Sequence, residues 1–126
     1  MNTSIIAVGT ELLFGQTVNT NAAYLSENLN HLGFNVMYHF VVGDNDGRLE
    51  HTLKRALTDT DLVIVTGGLG PTQDDMTKET VARVMDAPLY LNEECLAEVK
   101  RYFSIRNREM ASNNVQQAYI PENAVI

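Results

Sequence analysis

The sequence predicts an α/β fold: a mainly parallel central sheet with helices on both faces. Three observations carry that reading. Short strand-like runs alternate with helical periodicity from Ile5 to Met85. The runs Ile5-Ile-Ala-Val8 and Leu62-Val-Ile-Val65 are continuously apolar, as strands buried on both faces are. A glycine-rich segment, Thr66–Thr77, follows the third run and leads directly into a helix. Alternation of this kind argues for parallel strands joined by right-handed crossovers.

Taken in order, the first strand is expected near residues 3–8 and ends in a loop with two glycines, Gly9-Thr-Glu-Leu-Leu-Phe-Gly15. Thr20 is a good N-cap for a helix whose apolar face is Ala22, Leu25, Leu29 and Leu32. Gly33 stops that helix in the favoured C′ position. The second strand is expected near 34–42, where β-branched and aromatic residues concentrate. After the turn cluster Gly43-Asp-Asn-Asp-Gly47, Asp46 can cap a helix carrying Leu49, Leu53, Ala56 and Leu57. The third strand is expected near 61–66, and a helix over Lys78–Met85. Beyond Pro88 a further helix starts at Asn92, with Glu93 and Glu94 in its first turn. Residues 110–119 read as a short helix or loop, and Ala124-Val-Ile126 as the start of a strand. The chain is therefore expected to be one domain, 1–126, cut short at its C-terminal end.

Composition narrows the function. A net charge of −7 argues against a general nucleic-acid-binding surface, which needs clustered Lys and Arg. Residues 1–75 hold nine acids against three bases, Arg48, Lys54 and Arg55. The single cysteine, Cys95, excludes an internal disulfide and fits a reducing cytoplasmic setting. No secretory signal or membrane-spanning run is visible. His31, His39 and His51 share no metal-ligand spacing and read as structural or surface residues.

The chemistry concentrates in Thr66-Gly-Gly-Leu-Gly-Pro-Thr-Gln-Asp-Asp-Met-Thr77. Gly67, Gly68 and Gly70 let the backbone approach a ligand closely. A helix N-terminus offers unpaired N–H groups to a phosphate. Asp74 and Asp75 beside a phosphate site point to a bridging divalent metal, because bare carboxylates would repel the ligand. The plainer alternative is that Asp74, Asp75 and Thr77 only cap the helix. In a parallel sheet the strand ends line up along one edge, and ligands bind where strand order reverses. With an order beginning 2-1-3, Glu11, Asn19, Asn21, Asp44, Asp74 and Asp75 are expected around one crevice. Asp44, in its turn cluster, has an ordinary role as a turn former, and Asn19 and Asn21 as helix caps.

The glycine loop, with Gly9–Gln16, Thr20–Leu25, Val42–Asn45 and Asn114–Ala118, resembles the N-terminal domain of the competence/damage-inducible CinA family. That domain belongs to the wider molybdopterin-binding, molybdenum-cofactor-biosynthesis fold. The resemblance covers essentially the whole chain. It implies a three-layer α/β/α sandwich. It also implies hydrolysis of ADP-ribose to AMP and ribose 5-phosphate with magnesium or another divalent metal, and a homo-oligomer, most simply a dimer. Relatives that adenylylate molybdopterin use acids that align with Asp44 and Asp75. They carry Arg where this chain has Asp74, which favours the hydrolase over the adenylyltransferase. A non-catalytic nucleotide- or pterin-binding module is the third reading. On the hydrolase reading, Asp44 and Asp75 are catalytic and Asp74 and Asp75 hold Mg2+. Gly9, Glu11, Asn21, Gly67, Gly68, Gly70 and Thr72 then contact phosphate or substrate.

Overall fold

The computed structural model describes residues 1–126. Three strands, β1 (Asn2–Val8), β2 (Asn35–Val42) and β3 (Leu62–Thr66), form a sheet in the order β2-β1-β3. Both pairings of β1 are parallel. The strand order that places the glycine loops at a switch point is therefore present. β1 is the centre of the molecule, with Thr3–Val8 all buried.

The two faces of β1 divide the core. Ile5 packs on one side with Ala22 and Leu29 of α2 (Thr20–His31), joined by Leu25, Phe34, Val36 and Ile64. Ile6 and Val8 pack on the other with Val42 and with Leu49, Leu53 and Ala56 of α3 (Asp46–Asp59). Val81 and Val84 of α4 (Thr77–Val84) extend that second cluster. Alternate residues of a strand face opposite sides, so the continuous apolar run supplies both layers at once. The result is the expected three-layer α/β/α arrangement.

Several local details differ from the sequence reading. The loop after β1 contains a one-turn helix, α1 (Thr10–Leu13), too short to leave a periodic signal. The α3 cap lies one residue earlier than expected, and at α2 the capping role offered as the ordinary reading of Asn19 is the one the structure shows. Asn19, not Thr20, accepts from the Ala22 N–H at 3.2 Å, and Asn45, not Asp46, accepts from the Arg48 N–H at 3.0 Å. Gly33 does close α2, at φ 84°, with the Phe34 N–H bonded to Leu29 O and the Gly33 N–H to Asn30 O. That is the paired C-terminal motif that glycine favours.

Two short strands, β4 (Leu89–Leu91) and β5 (Tyr119–Pro121), form an antiparallel ladder that periodicity did not reveal. Between them lie α5 (Glu93–Ile105), capped by Asn92, and a 3-10 helix over Ser112–Ala118. Ala124–Ile126, expected to begin a strand, has no regular structure, and the turn at Glu122–Asn123 precedes it. No helix is long and apolar enough to cross a membrane.

Candidate functional site

The C-terminal ends of all three sheet strands open on the same edge. At the end of β1, the Gly9 N–H donates to Val42 O at 2.8 Å and joins the loops after β1 and β2. Thr10 then binds Asp44 reciprocally. Its hydroxyl donates to Asp44 Oδ2 at 2.9 Å and accepts from the Asp44 N–H at 3.0 Å. Asp44 is exposed, but this pair fixes its backbone and one carboxylate oxygen.

The loop after β3 lies directly over the end of β1. Gly67 has φ 91°, and a Cβ there would fall on the Val8 carbonyl oxygen. Gly68 follows at φ 62°, where a Cβ would meet the Thr77 hydroxyl. Positive φ at both Gly67 and Gly68 makes a turn that residues with a Cβ rarely adopt, and it lays the loop backbone against the end of β1. Thr77, 2% exposed, locks them in place. Its hydroxyl donates to Gly67 O at 2.8 Å and its N–H to Gly68 O at 3.1 Å.

Asp75 orders the far end of the loop. Its Oδ2 accepts from the Thr72 hydroxyl at 2.6 Å and from the Thr72 N–H at 2.9 Å. Gly70 packs so tightly that an added Cβ would lie 2.6 Å from the same oxygen. The helix-capping alternative fails for both acids. The residue at the N-cap of α4 is Met76, and no side chain caps that helix. The Thr72 hydroxyl, and with it the backbone N–H groups of Thr72 and Gly70, hold the Asp75 carboxyl below its ordinary 3.8. A depressed carboxyl favours the folded loop above the ordinary carboxylate range, and that contribution is lost as pH falls through the lowered folded value. Carboxyl-carbon NMR should find Asp75 titrating below 3.8 and returning toward its ordinary value in Thr72→Val. A wild-type Asp75 titrating at the ordinary value would remove this ordering role.

The predicted residues fall into distinct groups. Glu11, Asn21 and Gly67 line one cavity with Asn19, Thr20 and Thr66, between the ends of β1 and β3 and the start of α2. Thr72 and Asp75 line a second cavity, completed by α4, β4, the 3-10 helix and Tyr119. Asp44 is anchored beside the first cavity through Thr10. Asp74 is exposed and lines neither. The glycine loop forms a wall of both cavities: Thr66 and Gly67 of one, Thr72, Gln73, Asp75 and Met76 of the other.

Magnesium, implied by the resemblance, can be tested against this donor set. No group of three or more His, Cys, Asp or Glu side chains is placed to hold a metal. The available donors are separate carboxylates with loop oxygens beside them. That fits a hard cation that keeps several waters and takes further ligands from a phosphate. It does not fit a cation enclosed by protein alone.

Sequence reasoning missed Thr10, Thr77, Lys78, Asn113 and Gln116. The Lys78 ammonium donates to Gln116 O, and Asn113 Nδ2 donates to Pro71 O at 3.3 Å. These bonds tie the 3-10 helix to the glycine loop. The Asn114–Ala118 segment was a signal for this, but nothing local showed which loop it would meet. His39 has a structural partner: its Nε2 lies 2.7 Å from Ser26 Oγ. The Ser26 hydroxyl already donates to Ala22 O at 2.8 Å, so the imidazole donates to it and does not act as its base. Asp46, released from capping, accepts from the buried Thr80 hydroxyl at 2.6 Å and pairs with Arg83, joining α3 to α4.

Comparison with known proteins places this arrangement. Residues 4–120 match the family described as a probable molybdopterin binding domain. The crystal structure of a CinA protein from Thermoplasma acidophilum superposes at TM-score 0.86 with 39% identity, over 95% of this chain and 70% of that one. A protein of Acetivibrio thermocellus named as competence-damage inducible is 59% identical over all 126 residues, which span 30% of its length. The molybdopterin biosynthesis enzyme MoaB of Thermus thermophilus shares the fold at TM-score 0.65 and 22% identity, over 96% of this chain and 79% of that one. The chain belongs to the molybdopterin-binding domain family, in its CinA branch.

Proposed function

We propose that this domain binds a phosphorylated heterocyclic ligand of the pterin or nucleotide type across the C-terminal edge of the sheet. The observation that carries the reading is the tight Gly67-Gly68 turn laid over the end of β1 and locked by Thr77. Its N–H groups offer a preorganised seat for phosphate oxygens. The family description favours a pterin-type ligand. Calorimetric titration with a pterin phosphate and with AMP tests the reading. Saturable binding of either is expected, and binding of neither would sink it.

A second reading, hydrolysis of ADP-ribose to AMP and ribose 5-phosphate, is favoured by the acid at position 74. Molybdopterin-adenylylating relatives, as the resemblance implies, carry Arg there. A magnesium ion held by Asp75 with Asp74 would supply charge neutralisation of the diphosphate. The chain's own residues supply the rest. The Gly67, Gly68 and Gly70 segment orients the phosphates, with Thr72 at its end. Gly9 permits the tight turn that brings Glu11 to the first cavity, where Glu11 and Asn21 bind sugar hydroxyls. Asp44, oriented by Thr10, positions the attacking water. The water oxygen bonds to one phosphorus as its proton passes to the Asp44 carboxylate, the bridging P–O bond breaks, and the leaving phosphate takes the electron pair. Binding without turnover would leave a non-catalytic module.

The reading includes a cytoplasmic protein and a homodimer. Ala124–Ile126 forms no strand and so offers no strand edge for pairing. The outer edge strand β2 provides one, with Met37, Tyr38 and Val41 exposed on an edge that carries no Lys or Pro. Sedimentation at micromolar concentration is expected to show a dimer, and a pure monomer would count against it.

A further inference from the structure

The cavity beyond Asp75 has a composition unlike the one at Glu11. Its apolar surface comes from Met76, Leu89 and Tyr119. Its polar groups are the Gln73 and Gln116 amides, the Thr72 hydroxyl, and the Asp75 and Glu79 carboxylates. No cation lines it. The adjacent Lys78 ammonium is bonded to Gln116 O and lies 3.8 Å from Glu79, so it already has partners. Two carboxylates without a free cation repel a terminal phosphate group. An aromatic ring beside methionine and leucine favours a flat apolar surface. The acids and amide oxygens at its rim accept hydrogen bonds from ring-edge N–H groups.

The geometry points to this cavity as the seat of the ligand's planar heterocycle, stacked on Tyr119 with an exocyclic amine directed at Glu79. This rests on the ligand-binding reading above and specifies which end of the ligand goes where. The ring lies between α4 and the β4–β5 ladder. The phosphates lie along the glycine loop, and the remaining polar end lies in the cavity of Glu11 and Asn21. The Lys78–Gln116 and Asn113–Pro71 bonds then act as positioning contacts, because they hold the Gln116–Tyr119 wall against the loop. Adenine and pterin share the required chemistry, a flat ring bearing an amine.

The test compares binding of adenosine, a phosphate-free pterin and ribose 5-phosphate to the wild-type chain and to Tyr119→Ala, Tyr119→Phe and Glu79→Gln. Stacking of a base on an aromatic ring sets the scale, so Tyr119→Ala should weaken ring ligands about tenfold. Tyr119→Phe should bind them like wild type, and ribose 5-phosphate should bind all variants equally. Glu79, at 43% side-chain exposure, can be changed without threat to folding. Glu79→Gln should weaken adenosine while leaving purine riboside, which lacks the amine, unchanged. Whichever of adenosine and the pterin binds more tightly identifies the source of the ring. Retained ring affinity in Tyr119→Ala, an equal loss for ribose 5-phosphate, or no binding of either ring compound to wild type would overturn the assignment. Tyr119-dependent ring binding with no ADP-ribose turnover would uphold the subsite and reject the hydrolase reading alone.

Discussion

If the domain hydrolyses ADP-ribose with a metal at Asp75, asparagine in its place is expected to reduce turnover about a thousandfold, the scale of several kcal/mol of transition-state stabilisation lost with a metal contact. The fold should survive. Asp75 Oδ2 accepts from Thr72 at two donors, and an amide oxygen of the same shape can still accept both. The charge is what the substitution removes, and a hard cation needs it. The structure sharpens this test, because Asp75 caps the Thr72 turn and not helix α4. If ordering that turn is its whole role, Asn should leave the rate nearly unchanged and lower the melting temperature only by what the carboxylate charge contributes to the loop. The measurement is initial rate with saturating magnesium, beside a thermal melt of the same variant. An unchanged rate would remove the catalytic assignment and leave ligand binding standing.

Gly67→Ala should lower stability by about 3 kcal/mol, at the upper end for a strained left-handed residue and with a steric clash added. On a domain of this size that is a fall in melting temperature of roughly 10 °C. The cause lies in two backbones. The added Cβ would occupy the position of the Val8 carbonyl oxygen, and Val8 is held in the central strand by pairing with Val42. Neither atom belongs to a flexible side chain that could move aside. Gly15 provides the control. It also has positive φ, at 70°, but a Cβ there meets nothing within 4 Å. Gly15→Ala should therefore cost only the backbone term, about 1 kcal/mol. Equal losses at the two positions would show that the close approach of Gly67 to β1 contributes nothing.

The contrast between these glycines shows what the sequence could and could not reveal. Continuous apolar runs and helical spacing are distributed over many residues, so β1, α2, β2, α3 and β3 are legible. The alternation Ile5/Ile6 even determines which helix each side of β1 meets. β4 and β5 are three residues each and pair Leu91 with Tyr119, across a span that includes all of α5. No local pattern encodes such a partner. The caps are ambiguous for a different reason. Asn19-Thr20 and Asn45-Asp46 each place two good capping residues in succession, and only the backbone angles choose between them.

The site follows the same division. Glycine spacing marks the tight turn, and the strand-end rule brings Gly9, Glu11, Asn21 and Gly67 to one edge. The bonds that orient the acids are invisible in sequence. Thr10 reaches Asp44 from 34 positions away, and Thr77 reaches Gly67 from ten. That Glu11, Asn21 and Gly67 line one cavity and Thr72 and Asp75 another, while Asp44 and Asp74 line neither, is likewise a property of packing. The 3-10 helix forms the second cavity's wall through side chains, Lys78 and Asn113, that carry no motif of their own.

The central claim is that phosphate oxygens of a pterin or nucleotide sit on the backbone of the Gly67-Gly68 turn. Backbone amide NMR during titration with AMP, and in parallel with a pterin phosphate, tests it most directly. The largest, saturable shifts are predicted at the amides of Gly67, Gly68, Gly70 and Thr72, with smaller ones at Asn19–Asn21. Saturable binding that leaves the Gly67 and Gly68 amides unmoved while shifting those of α5 or the outer edge of β2 would contradict the account.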